Sequence, residues 1–426
     1  MRPDWLENIP PSWSSVPFGS IFTQSKRKNT RLQRDFVLSV IKDRGVIPYT
    51  EKGNLGNKVS DDLSGYKLVD KGDFVLNSMN LYMGSVGTSN YDGVTSTAYI
   101  VCKPSEDVYA GYYNYLIQFR GFQEYVGFLG KGIMEIREAV RWTALKSVFV
   151  PLPDLSTQRE IADFLDRETA RIDLLIEKKQ KLVALLGEKK SATIDEIVKS
   201  DEWSVIKLSR LVRLIDGDRS SEYPSDQDFV EEGIPFISSK QINDRLLTLD
   251  DAKFITHEKF AKLGRGKLRD GDVIVTVRGT LGNTAIFRKE LAKSGFINAQ
   301  IMIMRPEKRI DSSLLHLFTQ STAWSDQIAV EGYGSAQKQL NQDVLRRFTA
   351  RYPLNTDPDR WKRIMENLFA QHLAISSRTS ASIERLKEYR SALITAAVTG
   401  QIDVTTYAKS GATDRRLDAI QEEMGA

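Results

Sequence analysis

The side chains of this chain best fitted to do chemistry are hydrogen-bonding groups on short loops that follow apolar strands. Arg278-Gly279-Thr280-Leu281-Gly282-Asn283 follows the run from Val273 to Val277, and Asn77-Ser78-Met79-Asn80 follows Phe74-Val75-Leu76. Arginine or lysine pairs with guanine and asparagine or glutamine with adenine. Arg278, Thr280 and Asn283 on one loop, and Asn77 and Asn80 on the other, therefore suit the reading of base edges in a major groove. Small neighbours permit close approach. Further on, Lys131-Gly132-Ile133-Met134-Glu135-Ile136-Arg137 and Gly334-Ser335-Ala336-Gln337-Lys338-Gln339 add Lys131, Arg137, Ser335, Gln337 and Lys338 as contacts to bases or phosphates. Lys240 and Gln241, in Ser238-Ser239-Lys240-Gln241, join them, and Lys26-Arg27-Lys28 suits phosphates better than bases. For any one of these residues an ordinary polar loop explains as much. The argument lies in the set.

Other chemistries find little support. There is no G-x-x-x-x-G-K-[ST] phosphate loop, and no Asn or Asp followed by Pro-Pro-Tyr or Pro-Pro-Phe to position an amino group for methylation. Asp251-Ala252-Lys253 has the D-x-K form of many nucleases, but the pattern is short and no clear upstream acid at a strand end accompanies it. Gly264-Arg265-Gly266 lacks the third glycine of a dinucleotide site and reads as a flexible basic turn. The single cysteine, Cys102, cannot form an internal disulfide, and His257, His316 and His372 are too scattered for a zinc site. No metal or cofactor is expected. No run approaches the roughly 18 apolar residues of a membrane span, and the opening Met1-Arg2-Pro3-Asp4-Trp5 lacks the apolar stretch of a signal peptide, so a cytoplasmic protein with no membrane partner is expected.

Charge is informative in its distribution. The 60 Lys and Arg against 56 Asp and Glu leave only +4. Basic clusters nevertheless recur at Lys26-Arg27-Lys28 with Arg31 and Arg34, at Lys262, Arg265, Lys267 and Arg269, and at Arg346-Arg347 with Arg351. Acidic residues gather elsewhere. In a chain with 27% charged residues, a solvated face accounts for any one cluster equally well.

The elements that must carry these loops occur twice. Trp13, Val16, Phe18, Ile21 and Phe22 recur with the same spacing as Trp203, Ile206, Leu208, Leu211 and Val212. Lys67 to Asp73 (KLVDKGD) returns one residue shorter as Lys267 to Asp272 (KLRDGD), and Leu145 to Pro153 matches Leu345 to Pro353. Two copies of one unit imply two equivalent binding surfaces and a bipartite ligand. Within each copy, Phe36–Ile41, Phe74–Leu76, Ala98–Val101, Pro235–Ile237, Val273–Val277 and Ile301–Met304 read as strands, and Leu314 to Phe318 begins a helix. Each module is mixed α/β.

A long helix follows each module. The first opens at Thr157-Gln158-Arg159-Glu160, which has the form of a capping box. From there Ile161, Leu165, Glu168, Ile172, Leu175, Lys179, Leu182 and Leu186 trace a coiled-coil seam over about 60 Å at 1.5 Å per residue. It needs a partner helix. The second starts at Asp357-Pro358, carries Ile364, Leu368 and Ile375, shifts phase across the polar stretch from Ser376 to Ser382, and resumes with Ile383, Leu386, Leu393 and Ala397 before a left-handed stop at Gly400. The expected organisation is an α/β protein with two tandem mixed α/β domains, residues 1–155 and 200–355, separated by two long antiparallel coiled-coil helices, 156–199 and 356–404. A flexible tail, 405–426, closes the chain. Two separate helical hairpins are the less favoured arrangement.

These features carry a specific resemblance. Leu152-Pro153-Asp154-Leu155-Ser156-Thr157-Gln158-Arg159-Glu160-Ile161-Ala162 leading into a long helix, and Leu393-Ile394-Thr395-Ala396-Ala397-Val398-Thr399-Gly400-Gln401-Ile402-Asp403 ending the second, resemble the specificity subunit of type I restriction-modification enzymes. The resemblance covers nearly the whole chain. It implies two target recognition domains, each reading half of a split double-stranded DNA sequence, with helices that set the gap and dock modification (adenine methyltransferase) subunits. A translocating nuclease, the restriction subunit, carries out cleavage. The specificity subunit itself is not catalytic. Asn355-Thr356-Asp357-Pro358-Asp359-Arg360-Trp361 departs from the Gln-Arg-Glu-Ile form of the first copy, so the two helix starts need not meet a partner alike. A protein-interaction scaffold, or a magnesium-dependent nuclease using Asp251 and Lys253, are the other readings.

Overall fold

The structure, a computed structural model, describes residues 3–42, 44–53, 58–129, 139–243, 246–308, 310–332, 339–353 and 357–422. It divides into two compact units, Met1–Gln180 with Arg378–Ala426, and Lys181–Ser377. Each unit therefore holds one α/β module and part of both long helices.

In the first unit the strands are β1 (Ser14–Pro17), β2 (Phe22–Gln24), β3 (Val37–Ile41), β4 (Gly45–Pro48), β5 (Lys67–Val69), β6 (Phe74–Leu76), β7 (Val86–Thr88), β8 (Gly93–Thr95), β9 (Ile100–Pro104) and β10 (Phe149–Leu152). They form an antiparallel sheet in the order β2-β9-β6-β7, a mixed sheet β4-β3-β8-β5 with β3 and β8 parallel, and the pair β1-β10. The second unit continues with β11 (Ser204–Lys207), β12 (Val212–Asp216), β13 (Phe229–Val230), β14 (Ile234–Ile237), β15 (Ile242–Asn243), β16 (Leu246–Leu247), β17 (Lys253–Ile255), β18 (Lys267–Leu268), β19 (Val273–Thr276), β20 (Thr284–Ile286), β21 (Gly295–Ile297), β22 (Ile301–Pro306) and β23 (Thr349–Tyr352). The orders are β12-β22-β19-β20, β13-β17-β14-β21-β18 with β14 and β21 parallel, and β11-β23. The topology of the first module is thus repeated, with β13 and the hairpin β15-β16 added. Central strands bury both faces, as the apolar runs Phe74–Leu76 and Val273–Thr276 require.

The repeated turn before each central strand holds a buried carboxylate. Asp73 accepts the Asp70 amide at 2.9 Å, and Asp272 accepts that of Arg269 at 2.8 Å. Asp272 also takes both Nε and Nη2 of Arg305 at 2.7 Å, a bidentate pair that bolts β22 to the turn. At the corresponding place on β9 the first module has Lys103, which reaches Asp70 at 3.3 Å.

The long helices run Leu155–Lys199 and Pro358–Val398. The first begins two residues before the expected Thr157. Its cap is Asp154, which accepts the Thr157 amide at 3.0 Å and the hydroxyls of Ser156 and Thr157 at 2.6 Å, in place of a Thr157–Glu160 box. Gln158 is buried and ties the helix start to the module, accepting the Tyr109 amide at 2.8 Å and donating to the carbonyls of Pro153 and Asp107.

Within the first unit Asp173 bonds Arg390 at 2.9 Å, and within the second Lys190 lies 5.5 Å from the Phe369 ring centre, as antiparallel pairing requires. Ile161, Leu165, Glu168, Ile172 and Lys179 are buried along the expected seam. Leu182, Ile364 and Ile375 are not. The C-terminal helix is rotated by its anchor: Trp361 packs edge-on against Trp203 at 5.7 Å, which turns Met365 inward instead of Ile364.

The polar stretch from Ser376 to Ser382, expected to shift the phase of the apolar stripe, carries buried residues of its own within one helix. Thr379 and Ser382 turn inward, and the last helices of the chain pack on the same unit. Residues 405–426 are therefore not a flexible tail through Glu422. Val404–Lys409 and Ala412–Glu422 are helical, Asp403 caps the first by accepting the Thr406 amide at 2.7 Å, and Leu417 and Ile420 are buried. Gly400 takes the expected left-handed conformation, φ 70°.

Ile420→Ala should destabilise the first unit by about 2–4 kcal/mol in chemical denaturation. A change of only a few tenths would mean that this helix does not pack as described. Asp154→Ala should cost about 1 kcal/mol at neutral pH. Hydrogen bonds from Ser156 and Thr157 hold the Asp154 carboxyl below the usual range. Its stabilisation is thus present above the unfolded value, about 3.9, and is lost as pH falls through the folded one. The gap between variant and wild type should close in strong acid.

Candidate nucleic-acid interface

The loops between β6 and β7 and between β19 and β20 are built on one backbone plan. The ladders end at Leu76 with Val86 and at Val275 with Thr284. The next amide closes each loop: Asn77 donates to the Ser85 carbonyl at 3.0 Å, and Thr276 to that of Asn283 at 2.8 Å. One residue later a distant strap holds the loop from behind, Val140 N–H donating to the Ser78 carbonyl at 3.0 Å and Leu340 N–H to that of Val277 at 3.1 Å. Both loops end on a left-handed glycine, Gly84 at φ 82° and Gly282 at φ 80°. A Cβ on Gly84 would meet Gln123 and one on Gly282 would meet Ile328, each on the helix behind its loop. Trp324 adds a bond from its indole N–H to the Gly282 carbonyl at 2.9 Å.

This plan sorts the candidate residues. Asn77 is only 6% exposed, and its side chain accepts the Met79 amide at 3.2 Å and reaches the Val40 carbonyl. It shapes the loop from within, as Thr276 does in the other module by accepting the Asn283 amide at 3.0 Å. Asn80 is exposed, and so are Arg278, Thr280 and Asn283. The Arg278 guanidinium makes no hydrogen bond or ion pair among the described residues. Gln241 is 3% exposed and caps a turn, accepting from Ser238 and donating to the Asp250 carbonyl at 3.1 Å. Its side chain is committed within the fold, whereas Lys240 is exposed. Lys131, Arg137, Ser335, Gln337 and Lys338 lie outside the described residues.

The basic cluster of the first module is partly neutralised. Asp70 gathers Arg27, Arg34 at 3.0 Å and Lys103 at 3.3 Å. Burial pushes its carboxyl up, but the hydrogen bonds from Arg27 and Arg34 outweigh this and hold it below the usual range. Lys26 and Lys28 are exposed and make no ion pair among the described residues. In the second module Lys262 pairs with Glu258 at 2.8 Å and Lys267 donates to the Ala261 carbonyl at 3.1 Å. The Gly264-Arg265-Gly266 turn is held, not flexible. Asp218 accepts the Gly264 amide at 2.8 Å, and although burial works against its charge, backbone and side-chain hydrogen bonds from Ser220 help bring its pKa down to about 2.

That turn borders a polar cleft of about 440 Å3, lined by Arg219, Arg265, Val277, the amide-bearing Gln339, Asn341 and Gln342, and the carboxylates of Asp216 and Asp343. Val277 directly precedes Arg278, so the cleft and the loop share an edge. Arg219 was not singled out by the sequence: a lone arginine after Asp218 carries no pattern. Lys253 of the D-x-K pattern stands 3.6 Å from Asp226 with its ammonium over the Phe229 ring, and Asp251 occupies a left-handed turn at φ 53°. His316 is buried and stacks on Phe369. Among the described residues no group of three or more His, Cys, Asp or Glu converges as a metal site. Nor is any helix there long and apolar enough to cross a membrane.

The modules coincide with known sequence. The family model "Type I restriction modification DNA specificity domain" matches residues 10–184 and again 200–385. The chain belongs to this family, as a type I specificity subunit. It is 24% identical over 282 residues to the type I restriction enzyme EcoBI specificity subunit of Escherichia coli, an alignment spanning 61% of this chain and 59% of that relative's length. In fold it is similar to a chain from a structure of the type I R-M system described for its complex assembly and conformational transition. The TM-score is 0.68 at 15% identity, covering 92% of this chain and 99% of that one.

If the loop frame is as tightly held as these contacts imply, Gly282→Ala should cost about 2 kcal/mol in urea denaturation, from left-handed strain together with contact at Ile328. Thr280→Ala on the exposed tip should stay within about 0.5 kcal/mol.

Proposed function

We propose that this chain is the DNA sequence-recognition subunit of a type I restriction-modification complex in the cytoplasm. It binds a bipartite, asymmetric site on double-stranded DNA and directs adenine methylation by modification subunits and cleavage by a restriction subunit. It has no catalytic activity of its own. The observation that carries this reading is Arg278: an exposed guanidinium on a loop fixed by backbone bonds, inside a module that the specificity-domain model matches. A rigid mount matters because a bidentate contact to guanine O6 and N7 discriminates only when its approach is fixed in advance. Asn80, Thr280 and Asn283 stand beside it or at the equivalent loop as further base contacts, and the exposed Lys240 joins them. Lys26 and Lys28 supply phosphate contacts, and Arg27 contributes less because Asp70 balances it. Lys131, Arg137, Ser335, Gln337 and Lys338 extend the proposed contact set.

With the modification partner present, Arg278→Ala should weaken binding by roughly 1–3 kcal/mol and relax specificity in one half-site. Lys26→Ala should weaken all sequences alike and lower the salt slope by about one. Fluorescence anisotropy across a salt series reads both. Binding indifferent to salt would favour a protein scaffold, and equal effects of Arg278→Ala on both half-sites would remove its assignment to a base.

A further inference from the structure

The backbone plan of the two loops puts unlike side chains at one position. Counting from the last ladder pair, the first residue is the inward Asn77 or Thr276. The second is the strapped Ser78 or Val277, whose carbonyl accepts from Val140 or Leu340. The third is Met79 in the first module and Arg278 in the second. Both point away from the core: Met79 is 50% exposed, on a segment whose neighbours Asn77 and Ser78 are buried. Met83, 40% exposed, extends the apolar surface of the same loop.

We infer that Met79 is a specificity-determining residue that contacts the C5-methyl group of a thymine, at the base step of its half-site corresponding to the step Arg278 reads in the other. The inference rests on the DNA-reading function proposed above. Equivalent frames bring their third residue to the same groove, and an arginine there reads guanine in the major groove. Methionine has no donor and only a weakly accepting sulfur, so among the groups displayed in that groove it complements the thymine methyl. Its unbranched thioether adapts to that methyl at little steric cost. A phosphate contact is excluded because the side chain carries neither a charge nor a hydrogen-bond donor. The first half-site should therefore hold an A·T pair where the second holds G·C.

The test replaces the chromosomal copy in the native host with M79A, M79L, M79R or R278M and maps methylated adenines genome-wide. Wild type should give one bipartite motif. M79A should relax one A·T position by about fourfold, the factor for losing one buried methyl contact, while the other half-site stays unchanged and reports a folded protein. M79L should keep the motif, M79R should move that position towards G·C, and R278M should lose guanine from the second half-site only. An unchanged motif in both M79A and M79R overturns the inference and leaves the DNA-reading function standing. So does a loss of methylation at every site in M79A when thermal unfolding is unaltered. If wild type yields no bipartite motif, the functional reading itself falls.

Discussion

A main-chain hydrogen bond from a distant segment to the second residue of each loop, Val140 to Ser78 and Leu340 to Val277, sets the geometry on which the candidate interface depends. Because donor and acceptor are both backbone, the bond is indifferent to side-chain identity. It is also a bond the fold can scarcely leave unmade, since each carbonyl belongs to a buried residue and an orphaned buried acceptor costs on the order of 1–3 kcal/mol. The loop is thereby fixed where it leaves the core. The following residue is turned outward whatever it is, so sequence can vary there without altering the frame.

The same economy explains the repeated aspartate. Asp73 and Asp272 each take the amide three residues earlier, closing the turn that feeds the central strand. Around them the modules diverge. Arg305 makes a bidentate pair with Asp272, while the first module distributes Arg27, Arg34 and Lys103 about Asp70. Both arrangements consume cations for structure. A count of basic residues near a loop therefore overstates the charge available to a ligand, and the sequence clusters could not reveal this: the acid that neutralises Arg27 is more than forty residues away, brought close only by strand pairing.

Much of the fold was legible in the sequence where the signal was local and strong. The strands at Phe74, Val273 and Ile301, the helix start at Pro358 and the stop at Gly400 follow from apolar runs, a proline at the first helical position and a left-handed glycine. What escaped depends on distant partners. The stripe expected at Ile364 gave way because Trp361 docks on Trp203, and Ser376 to Ser382 read as a phase shift of the apolar stripe because the helix covering Ser382 lies near the end of the chain. At the site, Asn77 and Gln241 had the right chemistry to read bases, yet both turn inward, since an amide side chain serves equally well to satisfy a loop's own backbone.

That ambiguity has a physical consequence for how such modules diverge. An inward amide or hydroxyl, Asn77 or Thr276, is constrained by the backbone groups it satisfies, and replacing it would leave them unpaired in a dry interior. An outward residue answers only to its ligand. Met79 and Arg278 differ in charge, hydrogen bonding and shape, yet each stands on a frame whose bonds match to within a few tenths of an ångström. Duplication of a module with this division supplies two readers of common geometry, and the separation of backbone-held frame from exposed side chain lets each acquire its own preference without cost to the other's stability.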